Sequence, residues 1–415
     1  MDVVHARCCG LDVHKRSVVA CVLLSDPSGP PHREIRTFGT YTNELLGLAD
    51  WLAEQGVTHI ALESTGVYWK AVWNLMEDRF ALLLVNPRHI KAVPGRKTDV
   101  LDAEWLAELL RYGLLKASFV PDRAQRELRE LTRYRTSLTN ERSAAVNRLQ
   151  KTLEGANIKL ASVASDVMGL SSRQMLAAVV HGTPTDASAL ADLAHGKLRD
   201  KLPQLEQALS GRVGPHQRFL LAEQLAHIDS LDASIERLDA EIAERLRPFD
   251  ELIDRLDAIP GIGRVIAEVL LAEISTDLTR FPTANHLASW AGMCPGHNES
   301  AGKKRSGKTR KGSPWLRAAL VQAAHAASHS KQSYLAAQYR RLTARRGTKK
   351  AAVAVGHSIL VIFYHLLTHD CPYVDLGPTY FDQRDPRAAQ RRLVHRLEAL
   401  GYNVQLTPLA EAPAA

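Results

Sequence analysis

Residues 8–24, CCGLDVHKRSVVACVLL, decide how the first part of the chain folds. Two apolar runs, CCGLDV and SVVACVLL, flank the polar turn HKR. This reads as a pair of adjacent strands with Asp12 near the end of the first. A third run, HREIRTF at 32–38, extends the pair to a three-stranded meander. Beyond it the periodicity predicts a helix over 43–55, a strand VTHIALE at 57–63, a helix over 67–77, a strand FALLLV at 80–85 and a helix over 99–112.

Three strands followed by helix, strand, helix, strand, helix is the element order of an α/β ribonuclease H-like domain, assigned here to residues 1–120. Residues 122–156 are polar and helical. Further on, Leu221, Ile228, Ile235 and Ile242 recur every seven residues, and Leu231 and Leu238 supply the second position of an a/d seam. The pattern predicts a coiled coil within 121–250; a helix packed inside its own monomer is the alternative. Between the two helices, 157–215 reads as a small helical insertion. Residues 251–370 form a mostly α domain broken by a Gly/Lys/Arg/Ser loop from Gly292 to Pro314, and 371–415 is a proline-containing tail.

A length of 415 residues with 45% hydrophobic and 24% charged side chains rules out a peptide, a single small domain and a lone coiled coil. The net charge is +8, and its distribution is informative. Residues 1–120 carry 13 basic and 14 acidic side chains, 121–250 carry 18 and 18, 251–350 carry 17 and 7, and 351–415 carry 5 and 6. After Glu299 no acidic residue occurs until Asp370, while 14 Lys or Arg fall in that gap. Such a surface points to a polyanionic partner. Five cysteines without a CxxC pair, and an N-terminus without a signal-like apolar segment, predict the reducing cytoplasm. Ala351–Leu367, interrupted by Gly356, His357, Ser358 and His365, reads as a buried helix and not as a membrane span.

Asp12 and Glu63 end predicted strands, and Asp99 and Asp102 open a predicted helix with i, i+3 spacing, which puts both on one helical face. Gathered at one sheet edge, these four carboxylates would hold two divalent ions about 3.5–4 Å apart. Oxygen-only ligands favour Mg²⁺ or Mn²⁺. Taken singly, the helix aspartates also suit the positive end of a helix dipole, and Asp12 a simple strand end. An actin-like ATPase opens with a similar strand and aspartate, but no second glycine-rich phosphate loop follows.

LDAIPGIGRVIAEVLLAEI at 256–274 sets PGIG between two amphipathic helices, resembling a helix-hairpin-helix element in which Gly261 and Gly263 let backbone N–H groups approach a phosphate. A structural helical hairpin is the other reading. In 290–320, Ser300, Ser306 and Ser313 lie among Lys303, Lys304, Arg305, Lys308, Arg310 and Lys311. A hydroxyl so placed could be a nucleophile, or could only hydrogen-bond within a phosphate-gripping loop.

The motifs GLDVHK, ALESTGVYW, VNPRHIKAVPGRKTDVLDAEWLA, IPGIGRVIAEVLLAEI and WAGMCPG…ESAG…GKTRKGSPWLR, spread over about 8–330, resemble the DEDD-type insertion-sequence transposases of the insertion sequence one-hundred-and-ten group. The resemblance implies a RuvC-like N-terminal domain joined by a coiled coil to a serine-bearing C-terminal transposase domain. It puts the metal-binding tetrad on Asp12, Glu63, Asp99 and Asp102, and the nucleophile on Ser300. The family pattern has glycine directly after that serine; here Ala301 intervenes before Gly302, so Ser306 remains the second choice. It further implies donor and target DNA as substrates, a noncoding guide RNA and a homo-oligomer, dimer or tetramer, with no membrane partner. The enzyme would cut and rejoin DNA; the alternatives are a metal-dependent junction nuclease without a covalent intermediate and a binding scaffold with an inactive ribonuclease H-like fold.

Overall fold

The computed structural model describes residues 2–25, 29–63, 66–86, 102–183, 186–296, 298–300 and 303–407. The chain divides into two compact units, Met1–Arg123 and Ala124–Ala415.

The first unit is built on strands β1 (Arg7–Val13), β2 (Ser17–Leu24), β3 (His32–Gly39), β4 (His59–Glu63) and β5 (Ala81–Val85), in the sheet order β3-β2-β1-β4-β5. The β1–β2 and β2–β3 pairs are antiparallel, and the β1–β4 and β4–β5 pairs are parallel. A mixed sheet in this order is compatible with the ribonuclease H-like domain expected from the element order. Alternation along the strands separates two cores. Cys9, Leu11, Val13, Ile60 and Leu62 pack with helices α1 (Thr42–Glu54) and α2 (Trp69–Met76). Cys8, Cys21, Ala61 and Val85 pack instead with Ala103, Ala107 and Leu110 of helix α3 (Asp102–Arg111).

Helix α3 lies directly on β1 because position 10 has no side chain. A Cβ on Gly10 would fall 2.6 Å from the Ala107 backbone nitrogen and closer still to the Ala103 carbonyl oxygen. The Cys8 thiol donates to the Ala107 carbonyl at 3.6 Å, Arg111 donates to the Ser25 hydroxyl at 3.1 Å, and Arg33 of β3 pairs with Glu104 of α3. Burial pushes the Cys8 thiol up to about 12 and the Cys21 thiol up to about 11. Both behave as small hydrophobes.

In the second unit, α4 (Arg123–Gly155) and α9 (Pro215–Leu246) form a long antiparallel pair, with the short helices α5 (Leu160–Val163), α6 (Leu170–His181), α7 (Ala187–Ala191) and α8 (Leu202–Leu209) between them in sequence. Leu221, Leu225, Ile228 and Leu231 are buried in one core with Leu138, Ala145, Leu149 and Leu153. Ion pairs run along the seam from Arg245–Glu127 (2.8 Å) through Arg135–Asp239 (2.9 Å) to Arg142–Asp232, so residue numbers rise on one helix as they fall on the other. The heptad thus finds its partner within the same chain, because α4 offers a matching apolar stripe.

The remaining elements are α10 (Asp250–Asp257), α11 (Arg264–Ile274), α12 (Ala284–Trp290), strands β6 (Asn298–Ser300) and β7 (Lys303–Ser306), α13 (Pro314–Ser328), α14 (Tyr334–Arg346), α15 (Thr348–His369), α16 (Tyr380–Arg384) and α17 (Pro386–Ala399). They surround a second core whose centre is α15. That helix is long and apolar enough to cross a membrane, yet Ala351, Val355, Ile359, Leu360 and Phe363 are fully buried against α12, α13 and α14, as a core helix requires.

Because the contact between α3 and β1 leaves no room for a methyl group, Gly10→Ala should destabilise the first unit by about 1–3 kcal/mol or more. Gly47→Ala, in an open helical position on α1, should be neutral or slightly stabilising. Urea unfolding of both variants checks the pair; an equal response would show that the close approach is not a constraint.

Candidate active site

The parallel pairing sets the geometry of the carboxylates. The β1–β4 register ends at Leu11 opposite Leu62, and Asp12 and Glu63 are the next residues on each strand. Adjacent strands are about 4.8 Å apart. Side chains alternate, so Asp12 falls on the face of Cys8 and Gly10, and Glu63 falls on the face of Ala61; both are the α3 face. From Cys8 opposite Ala107 to Gly10 between Ala107 and Ala103, the strand climbs toward the N-terminus of α3. Two further strand residues carry Asp12 about 6.6 Å beyond Gly10, toward the end of α3 that begins at Asp102.

Asp12 and Glu63 are half-buried and Asp102 is exposed. The Asp12 side chain keeps 25% of its surface accessible, and its Oδ2 meets His14 Nε2 at 3.0 Å. Asp99 lies outside the described residues. Among the described residues no group of three His, Cys, Asp or Glu side chains is drawn together tightly enough to hold a metal ion. The donor set is nevertheless one of hard carboxylate oxygens at adjacent strand ends and a helix start, the chemistry that suits Mg²⁺ or Mn²⁺.

The basic loop of the second unit is more ordered than its composition suggests. β6 and β7 pair antiparallel, with Ser300 opposite Lys303, Glu299 opposite Lys304 and Asn298 opposite Ser306. Ser300 is therefore the last residue of β6, and Ala301 and Gly302 lie outside the described residues. Below the hairpin, Pro295 bridges Thr309, the Gly296 N–H donates to the Lys308 carbonyl at 3.0 Å, and Arg317 donates to the Thr309 hydroxyl at 2.7 Å. Lys308, Arg310 and Lys311 are exposed.

Ser313 closes the loop. Its hydroxyl accepts from the Leu316 N–H at 3.3 Å, capping α13, and donates to Glu273 Oε2 at 3.0 Å. Glu273, 1% exposed, also receives both Nε and Nη2 of Arg133, at 2.6 and 2.9 Å. Arg129 and Gln125 donate to the last carbonyls of α11. One turn earlier, Glu268 binds Arg135 at 2.5 Å and Arg264 at 3.1 Å. Sequence reasoning missed these anchors. Two acids inside the apolar stretch VIAEVLLAEI were the available signal, since buried carboxylates require cationic partners, and the Ser-Pro pair at 313–314 was a helix-start signal.

The helical hairpin forms as α10 and α11, but its glycines differ. Gly261 has φ +91° and is pressed against α13, where a Cβ would lie 2.6 Å from the Ala327 nitrogen. Packing alone demands glycine there. Gly263 is the N-cap of α11 and faces open space, its nearest neighbour being Asp257 at 3.9 Å from a Cβ.

Strand-end carboxylates and a stretch with no acidic residue from 300 to 369 thus lie in one chain. Residues 9–158 match a DEDD-type IS110 transposase model, and residues 253–340 match the transposase model of the IS116/IS110/IS902 family. The chain is similar to a probable family 20 transposase of Pseudomonas aeruginosa, 27% identical over 76% of this chain and 85% of that one. It is also similar to the transposase of an insertion sequence element of Coxiella burnetii, 22% identical over 70% of this chain and 72% of that one. A pilin gene-inverting protein of Moraxella bovis is 32% identical over 34% of this chain and 45% of its own length. The chain belongs to the IS110 family of insertion-sequence transposases, enzymes that cut and rejoin DNA. DEDD transposases as a group use divalent metal.

Gly261→Ala should lower stability by several kcal/mol whether or not nucleic acid is present, since it forces a Cβ into the backbone of α13 at positive φ. Gly263→Ala should cost about 1 kcal/mol or less. Thermal melts with and without DNA check the contrast, and a Gly261→Ala protein that melts normally yet fails to bind DNA would return Gly261 to phosphate binding.

Proposed function

We propose that the protein is a site-directed DNA recombinase that breaks and rejoins strands through a serine-linked intermediate. Ser300 Oγ attacks the phosphorus of a phosphodiester, the bond to the departing strand oxygen breaks, and that oxygen leaves as a hydroxyl after taking up a proton. Attack by the hydroxyl of another strand reverses the chemistry and frees the serine. The bond energy is conserved in the phosphoserine link, so rejoining needs no nucleotide cofactor. Lys303, Lys304, Arg305, Lys308, Arg310 and Lys311 neutralise the phosphate and favour the alkoxide. The open N-terminus of α11 at Gly263 adds a backbone contact to DNA.

Asp12, Glu63, Asp99 and Asp102 are the residues that would hold Mg²⁺ or Mn²⁺. The ion would supply charge stabilisation at the scissile phosphate. What supports this assignment is the shared face and adjacent strand ends of Asp12 and Glu63, with Asp102 the first residue of the helix packed on that face. The two chemistries reside in different units, the carboxylates within 1–120 and the serine within 251–370, with 121–250 as the helical connection and 371–415 as a tail. An element-encoded noncoding RNA, pairing with donor and target DNA, would choose the sites, and the working form would be a homo-oligomer, dimer or tetramer, acting on the nucleoid in the cytoplasm.

The test is to trap a denaturation-resistant protein–DNA adduct on a duplex carrying the element's ends, with the adjacent noncoding RNA supplied. Ser300→Ala should remove the adduct and lower recombination by at least about 10³-fold, while DNA binding persists. Asp12→Asn and Glu63→Gln should do the same to strand chemistry, and Ser306→Ala should retain measurable activity. Metal-dependent nicking with no adduct would select the hydrolytic junction nuclease, and an adduct mapped to Ser306 would move the nucleophile.

A further inference from the structure

We propose that the corner between α14 and α15 is a second docking surface, fitted to the phosphate backbone of duplex DNA and separate from the loop at 303–311. It deepens the reading of the basic unit as the DNA-gripping part of the enzyme. Arg340, Arg341, Arg345, Arg346, Lys349 and Lys350 fall within eleven residues and all are exposed. None forms an ion pair with a described residue. Several arginines elsewhere in the same unit are matched: Arg133 with Glu273, Arg135 with Glu268 and Asp239, Arg142 with Asp232, Arg245 with Glu127 and Glu241. The contrast arises because no acidic side chain occurs between Glu299 and Asp370. Six like charges held together without counter-charge repel one another, a cost that a bound polyanion removes.

The backbone holds these charges in a fixed arrangement. Arg341 and Arg345 are one turn apart on α14, Gly347 turns the chain at φ +80°, and Lys349 and Lys350 follow in the first turn of α15, where the helix dipole adds to the positive potential. No Phe, Tyr or Trp occurs between Arg340 and Ile362, and Tyr339 just before this stretch is buried with its hydroxyl 3.1 Å from His325 Nδ1. A cationic corner whose own stretch offers no exposed ring suits a duplex backbone and lacks the stacking platforms that single strands use.

The experiment is a salt titration of the full-length protein carrying Arg345→Gln, Arg346→Gln, Lys349→Gln and Lys350→Gln, with a random-sequence DNA duplex as the probe. The expected result is at least about tenfold weaker binding near 0.1 M salt and a salt slope reduced by about 3 to 4, with an unchanged thermal melt. Combining these changes with Lys308→Gln, Arg310→Gln and Lys311→Gln should add the two losses in log affinity. Unaltered slope and affinity would overturn the proposal, as would a loss confined to single-stranded DNA or to duplex RNA. Its failure is separable from that of the serine mechanism, since adduct formation by the Ser300→Ala protein bears on the chemistry and not on this surface.

Discussion

Helix α3 rests on strand β1 at Gly10 with backbone against backbone, and the arrangement of the carboxylates follows from that contact. With a side chain at position 10 the helix would have to lift away, and its first residues would leave the sheet edge. The thiol bond from Cys8 and the ion pair between Arg33 and Glu104 keep the helix from rotating once it has settled. The parallel register then sets Glu63 beside Asp12, so a site made of residues far apart in sequence depends on three short-range constraints: a missing Cβ, a strand register and a helix start.

The second unit relies on a different device. Its long helices are polar by composition, and their union is specified by charge as well as by leucines. Arg135 and Glu268 are both nearly inaccessible, and Glu273 is satisfied by Arg133 and Ser313 together. Such pairs contribute little net stability over apolar replacements, but removing one member leaves a buried charge and costs about 3–5 kcal/mol. Their arrangement permits one register of α4 on α11 and ties the end of the basic loop to it. Ser313, chemically equivalent to the other loop serines, is thereby fixed as a helix cap.

Much of this was legible in the sequence because it rests on local periodicity. The meander, the parallel strands and the helix order of the first unit follow from runs such as CCGLDV and FALLLV, and the heptad of α9 from its spacing. The partner of that heptad was not legible, since an apolar seam does not say whether a second chain or a distant helix of the same chain fills it. The β6–β7 hairpin was hidden because lysine, arginine and serine carry no alternation. Gly261 read as a phosphate contact because PGIG suits both roles; its close approach to α13, which by itself requires glycine, was not legible. Glu268 and Glu273 were visible as acids in an apolar run, but their partners lie over a hundred residues away in α4.

The proposed role of Asp12 and Glu63, on adjacent strand ends, is to act together on one divalent-metal site. Titration of the protein with Mn²⁺, followed by the loss of the free-ion electron paramagnetic resonance signal, tests it without any DNA substrate. Saturable binding by the native chain that is abolished in both Asp12→Asn and Glu63→Gln, with circular dichroism unchanged, is the predicted result; equal Mn²⁺ binding by the native chain and the two variants would contradict it.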